Sequence, residues 1–170
     1  MIIDLVNLEG STHPFEFSVA ASEFDLDGEN VRLKSDVIAS GELTKQIIQT
    51  DVAGLISADA EIDCTRCLLP IEQRLEINFD VSYITADEFA EDAGGGLEGG
   101  DLDTDVFDGE SLDLKEVVRE QILLNLPVQI FCREDCKGLC QNCGANRNLI
   151  NCSCEEPEID PRWSALKNLK

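Results

Sequence analysis

The sequence predicts an α+β protein: an antiparallel β-sheet with one covering helix, and a C-terminal zinc-binding appendage that ends in a short helix. Three observations carry this. Hydrophobic residues alternate with period two in several runs before residue 85, the pattern of half-buried strands. One stretch, 113–127, has helical spacing with a cap before it and a proline after it. Six of eight cysteines crowd between Cys132 and Cys154, and the other two form Cys64-x-x-Cys67. At 170 residues the chain is long enough for one domain with a real core and a small appendage. The expected division is 1–130 for the β domain and 131–170 for the zinc-binding region.

The strands come first. Ile2, Ile3, Leu5 and Val6 precede a turn at Glu9-Gly10-Ser11, and Phe15, Phe17 and Val19 alternate with Glu16 and Ser18. His13, the single histidine, stands before Pro14 and reads as an incidental loop residue. Val31, Leu33 and Val37 alternate again, and Ser40-Gly41 marks a bulge or turn. An extended region with Ile47, Ile48, Val52, Leu55 and Ile56 then runs to Ile62, Gly54 being a bulge or close-approach position. After Cys67, the residues Ile71, Leu75, Ile77, Phe79, Val81 and Tyr83 keep near-perfect period two. Two long strands joined through Cys64–Cys67 describe a hairpin with a metal half-site at its tip.

Residues 86–110 are a different material, with ten acidic residues, six glycines and no basic residue. Like charge and low hydrophobicity predict an acidic mobile loop. Asp101, Asp103 and Asp105 resemble the start of a calcium loop, but Val106 and Leu112 stand where that loop needs glycine and glutamate. Asp113 then starts a helix as N-cap, with Glu116 completing a capping-box pattern. Leu114, Val117, Val118, Ile122 and Leu124 follow at helical spacing, and Pro127 stops the run. Asp160-Pro161 begins the terminal helix, in which Trp163, Leu166 and Leu169 share a face; Trp163 reads as a packing anchor before an RNA-stacking residue.

The net charge of −22 is unevenly placed. Residues 1–130 hold 7 Lys/Arg against 29 Asp/Glu, and residues 131–170 hold 6 of each. Such a body repels phosphate, so direct RNA contact falls to the neutral end, while a basic protein partner suits the acidic part. No apolar run approaches a membrane span. The N-terminus, MIIDLVNLEG, lacks a positive n-region and a cleavage site, which predicts a cytoplasmic protein. In that compartment cysteine clusters hold metal more often than disulfides.

Zinc takes four thiolate or imidazole ligands in a tetrahedron. Cys140-x-x-Cys143-Gly144 is a knuckle, and in Cys152-Ser153-Cys154 extended backbone sends both sulfurs to one side. Together they make a local site closed by an eight-residue loop. Cys64, Cys67, Cys132 and Cys136 remain, and no other ligand is at hand to complete them, so they form a second four-thiolate site. Spacing alone also admits an interleaved, cross-braced assignment. Cys136-x-x-x-Cys140-x-x-Cys143 matches the four-iron motif of radical enzymes, but only 27 residues follow it, too few for their barrel. Four thiolates close the zinc shell, and no serine–histidine pair, phosphate-cradling glycine motif or general-base histidine is visible, so no enzymatic activity is expected. The alternative is a thiol redox or metal-handling protein using Cys64 and Cys67, although that pair lacks the usual strand-to-helix context.

In these residues the chain resembles the YceD-like family, linked to accumulation of large-subunit (23S) ribosomal RNA. The matching pieces are Cys64-Thr65-Arg66-Cys67-Leu68, the helix and its exit REQILLNLPVQIFC, the block DCKGLCQNCGANRN, and the ending DPRWSALKNLK. The resemblance implies a non-enzymatic role in ribosome biogenesis. Members that keep the first cysteine pair but lack the knuckle and the Cys-x-Cys imply that Cys64 and Cys67 join Cys132 and Cys136, and that the later four are separable. The expected cofactor is thus two Zn2+ ions. The expected partner is large-subunit rRNA or a basic ribosomal protein, with no membrane and no small-molecule substrate. Arg133, Lys137, Arg147, Arg162 and Lys167 are the candidate binding residues. Asn142, Asn146 and Asn148 add hydrogen-bonding capacity, which reads first as turn chemistry around the knuckle.

Overall fold

The computed structural model describes residues 1–8, 11–26, 30–47, 49–85, 104–107, 109–154 and 162. The chain forms two compact units, Met1–Ile62 with Glu72–Val128, and Asp63–Ile71 with Gln129–Lys170. The first unit is α+β. Its strands are β1 (Ile2–Asp4), β2 (Thr12–Val19), β3 (Val31–Leu33), β4 (Val37–Lys45), β5 (Gln49–Asp63), β6 (Pro70–Thr85), β7 (Thr104–Phe107) and β8 (Ser111–Asp113), followed by helix α1 (Leu114–Asn125). The last residue of β5 and the first two of β6 belong to the second unit.

The main sheet runs β2-β4-β5-β6-β7, with β3 also paired to β5, and β1 pairs with β8 separately. β3 and β4 meet β5 in registers that differ by two: Leu33 faces Ala60, but Ile38 faces Ser57. The extra residues bulge. Ser35 takes the place of a ladder carbonyl, its Oγ accepting the Asp59 N–H at 2.8 Å. The predicted hairpin is present, because neighbouring strands joined by so short a link have to be antiparallel.

Several expectations need correction. The sheet is mixed, since β7 runs parallel to β6 with Tyr83 opposite Asp105. β7 also lies inside the segment read as an acidic loop: Thr104, Val106 and Phe107 have strand propensity, and the Phe107 ring meets Tyr83 edge-on at 6.0 Å. The rest of that loop reading falls largely on residues 86–103, outside the described residues, as does the terminal helix with Trp163. Finally, β4 and β5 are separate strands joined by a turn that bonds Gln46 N–H to Gln49 O at 2.8 Å. Ile47, at 98% exposure, is a turn residue and not part of an apolar run. His13 and Pro14 lie within β2.

The alternation sorts one sheet face into the core. Phe15, Val37, Ala39, Leu43, Val52, Ile56, Leu75, Ile77, Phe79 and Tyr83 are buried, as are Leu114, Val117, Val118 and Ile122 on α1. Gly41 is no turn. It sits mid-strand opposite Phe15 and Gly54, where an added Cβ would come within 2.1 Å of the Ala53 carbonyl oxygen. Gly54 lies beneath Phe79, 3.1 Å from an ideal Cβ to the ring, so the glycine pair makes room for two aromatic rings.

Asp113 caps α1, accepting the Lys115 N–H at 3.0 Å. Glu116 does not close the capping box; it pairs with Arg119 at 2.9 Å. Arg119 Nε also donates to Asp25 O at 2.7 Å, holding α1 to the segment that buries Phe24 and Leu26. No helix among the described residues is long and apolar enough to cross a membrane.

Candidate metal centre

All eight cysteines belong to the second unit. At the hairpin tip, Cys64 N–H donates to Leu69 O at 2.8 Å and Leu68 N–H to Cys64 O at 2.9 Å. At the second knuckle, Cys140 N–H donates to Ala145 O at 2.8 Å and Gly144 N–H to Cys140 O at 2.9 Å. The two turns are the same device. Each needs a left-handed residue after its second cysteine: Gly144 at φ +71, and Leu68 at φ +58. Leucine there is costly for its Cβ, and it gives the sequence no glycine to mark the left-handed position.

The C-terminal segment is bound to the tip by backbone. Thr65 N–H donates to Ile130 O at 2.9 Å, and Leu139 N–H to Arg66 O at 3.0 Å. Arg66 adds a side-chain clamp. One guanidinium nitrogen donates to Cys136 O at 3.1 Å, and the group lies 4.0 Å over the Phe131 ring. Gly138, at φ +70, lets this approach happen, since a Cβ there would lie 2.9 Å from Arg66 O.

This scaffold brings the sulfurs of Cys64, Cys67, Cys132 and Cys136 together, and separately those of Cys140, Cys143, Cys152 and Cys154, each set within 4.8 Å. The grouping is the sequential one, not the interleaved one. In the first, inner tetrad the Cys64–Cys136 sulfurs are 3.8 Å apart and the Cys67–Cys132 sulfurs 3.6 Å. A tetrahedron with Zn–S arms of about 2.3 Å has edges of about 3.8 Å. Those separations fit a metal ion and far exceed a disulfide bond of about 2.0 Å. Cys64, Cys67 and Cys136 are buried with Ile71 and Leu139 packed against them. The outer tetrad is more open: Cys143 and Cys154 are exposed, Cys140 and Cys152 half-buried.

The thiols are poised against one another. Burial pushes the Cys64 thiol up, but backbone N–H groups of Cys132, Arg66 and Cys67 outweigh it and hold the group down at about 6. Burial and the sulfurs of Cys67, Cys136 and Cys64 push Cys132 up to about 12. In the outer tetrad, the Cys143 and Asn142 N–H groups draw Cys140 down to about 6, while Cys143 and Cys140 push Cys154 up to about 12. Against the push of burial, Cys136 is held down as well, by the Asn148 amide and the Gly138 N–H, while burial pushes Cys67 up. Some thiolates form easily in each tetrad and a full set does not; a divalent cation removes that conflict. The donor set therefore fits a thiophilic metal ion.

Of the candidate binding residues, Arg133 is engaged locally, donating to Asn148 Oδ1 at 2.7 Å and facing Asp135 at 3.4 Å. Lys137 and Arg147 enter the network through their backbone N–H groups, with their side chains exposed. Arg162 is exposed, and Lys167 lies outside the described residues. Arg66, which the sequence offered only as part of a motif, donates its guanidinium to the backbone of an inner-tetrad cysteine.

The family model described as "Large ribosomal RNA subunit accumulation protein YceD" matches residues 52–170, a span containing both tetrads. The chain belongs to the YceD family. A YceD relative of full length is the uncharacterized protein YlbN of Bacillus subtilis, 25% identical over 99% of this chain and 94% of its own. An uncharacterized protein of Mycobacterium bovis is 31% identical over 68% of this chain and 53% of its own. A maize protein named "Large ribosomal RNA subunit accumulation protein YCED homolog 1, chloroplastic" is 27% identical over 79% of this chain and 54% of its own. The chain thus spans nearly all of the Bacillus protein but about half the length of the mycobacterial and maize ones. No solved structure matches it.

Proposed function

We propose that this chain is a non-enzymatic zinc-binding module of the cytoplasm that supports large-subunit rRNA accumulation by binding a basic ribosomal protein. The observation that carries the metal reading is the pair of four-sulfur clusters, the inner one with sulfur separations near a tetrahedral edge. Four thiolates leave no open position for water or substrate, which favours a structural role for the ions. Family membership supplies the process.

Charge favours the protein partner. The chain carries −22 before any thiolate is counted. A Zn2+ ion held by four thiolates leaves its site at about −2, so loading does not neutralise the acidic chain. Direct contact with rRNA is the second reading, supported by the exposed Lys137 and Arg147 side chains beside the inner tetrad.

Metal analysis and capture test this together. Protein purified without chelator is expected to hold two zinc ions and to resist alkylation at Cys64 and Cys67. Cross-linking in growing cells is expected to recover a large-subunit protein, or 23S rRNA under the second reading. Substoichiometric metal with a reactive Cys64–Cys67 pair would return the chain to thiol redox or metal handling. Recovery of neither ribosomal component would remove the assembly role.

A further inference from the structure

Asn148 stands in the loop between Cys143 and Cys152 that the outer tetrad closes, yet its side chain serves the inner one. Its Oδ1 accepts the Lys137 backbone N–H at 2.8 Å and Arg133 Nη2 at 2.7 Å, and its Nδ2 lies 3.4 Å from the Cys136 sulfur. A backbone N–H only donates, so the oxygen has to face Lys137 and the amide N–H has to face the sulfur. The loop around it is tightly folded. Asn146 Oδ1 accepts the Asn148 N–H at 3.0 Å, and Asn146 O accepts from Leu149 and Ile150, each at 3.0 Å. Arg147 N–H donates to Gly138 O at 2.9 Å, and Leu139 forms a bridge with Asn146. Both ends of this loop are ligands of the outer tetrad, and its middle touches a ligand of the inner one.

We propose that Asn148 makes the two tetrads cooperative: a metal ion on Cys140, Cys143, Cys152 and Cys154 holds the loop that delivers the Asn148 amide N–H to the Cys136 sulfur, and so tightens metal binding by Cys64, Cys67, Cys132 and Cys136. Hydrogen bonds from outside the ligand shell orient a ligand and stabilise its charge, and they recur at metal sites for that reason. The coupling is reciprocal, because a loop already pinned by an occupied inner tetrad loses less freedom when the outer ion binds. The direction of loss follows from exposure. The outer sulfurs are the open ones, so that ion exchanges first and its departure loosens the buried site. This inference rests on the reading of both tetrads as metal sites.

The test uses the full chain loaded with 113Cd2+, which gives one NMR signal per site, titrated with a competing chelator. Cys152→Ser with Cys154→Ser removes the outer site and assigns its signal. The inner site is expected to weaken by about tenfold or more, the usual cost of losing a hydrogen bond to a metal ligand. Asn148→Asp keeps an acceptor for Lys137 and Arg133 but has no N–H for the sulfur. It is expected to weaken the inner site by a similar factor, and Asn148→Ala to do the same. In the combined variant the two effects are not expected to add, which a general loosening of the fold would not produce. Leu149→Ala, which keeps its backbone bond to Asn146 and changes a side chain that is 73% exposed, is expected to leave both sites unchanged. An inner affinity indifferent to the outer site, or additive effects of the Asn148 and cysteine changes, would overturn the coupling while leaving two metal sites standing. A wild-type chain that binds no cadmium would overturn the metal reading itself.

Discussion

Gly138→Ala isolates the contact that joins the inner tetrad's two halves. Gly138 has φ +70, a region that costs a residue with a Cβ about 1 kcal/mol. Its Cβ would lie 2.9 Å from the Arg66 carbonyl oxygen, which also accepts the Leu139 N–H at 3.0 Å. The carbonyl has to move, and the bond it accepts, worth about 1 kcal/mol, is strained or lost. The sum is about 2 kcal/mol, which is a ~30-fold rise in the dissociation constant of the inner ion. Gly144→Ala is the control. It has the same φ, +71, but nothing lies within 4 Å of the added carbon. Only the backbone penalty applies there, so the outer site is expected to weaken ~5-fold. Chelator competition on each variant, with signals resolved per site, reads both numbers. Equal damage from the two substitutions would show that the approach to Arg66 does not control the inner site.

Three further outcomes are expected. Leu68→Gly relieves a left-handed leucine that is 56% exposed, so thermal stability of the metal-loaded chain should rise by up to about 1 kcal/mol after glycine's own entropy cost; a fall would show that the exposed side chain packs more than its accessibility suggests. Metal binding should release protons, because Cys67 and Cys132 in one tetrad, and Cys152 and Cys154 in the other, are raised and protonated at neutral pH. Affinity therefore rises with pH and falls on acidification, with at least about two protons displaced per site at pH 7; calorimetry in buffers of different ionisation enthalpy counts them. Ile122→Ala empties a fully buried position on α1 and should cost about 2–5 kcal/mol in urea unfolding; a loss under 1 kcal/mol would show that α1 is not a core helix.

Much of the local structure was legible in the chain. Period-two alternation found β2 and the β5–β6 hairpin, and helical spacing between Asp113 and Pro127 found α1, because burial of one face leaves a repeat in sequence. The outer tetrad was legible for the same reason: its four cysteines sit within one short loop whose closure is local. Errors came where a local signal has two meanings. Gly41 reads as a bulge or turn, but its lack of a side chain serves Phe15 across the strand. Ile47 reads as core, but it sits in a turn where the backbone, not burial, chooses the conformation. Strand β7 was masked by the acidic composition around it, and its partner β6 is separated from it by residues 86–103.

What the sequence determined by itself was the inventory: eight sulfurs, two knuckle-like pairs, one amphipathic helix, and an acidic chain. The sequence also grouped the sulfurs by spacing and elimination, with an interleaved assignment left open; contacts between segments more than 60 residues apart, such as Thr65 with Ile130 and Arg66 with Cys136, closed that choice. Tertiary structure alone decided that a leucine at φ +58 completes a turn equivalent to that at Gly144, and that Asn148 serves a tetrad other than the one whose loop contains it. The physical reason is common to both. Hydrogen-bond partners and the separations of sulfurs are set by how backbone segments converge in space, and convergence is a property of the folded chain and not of any window along it.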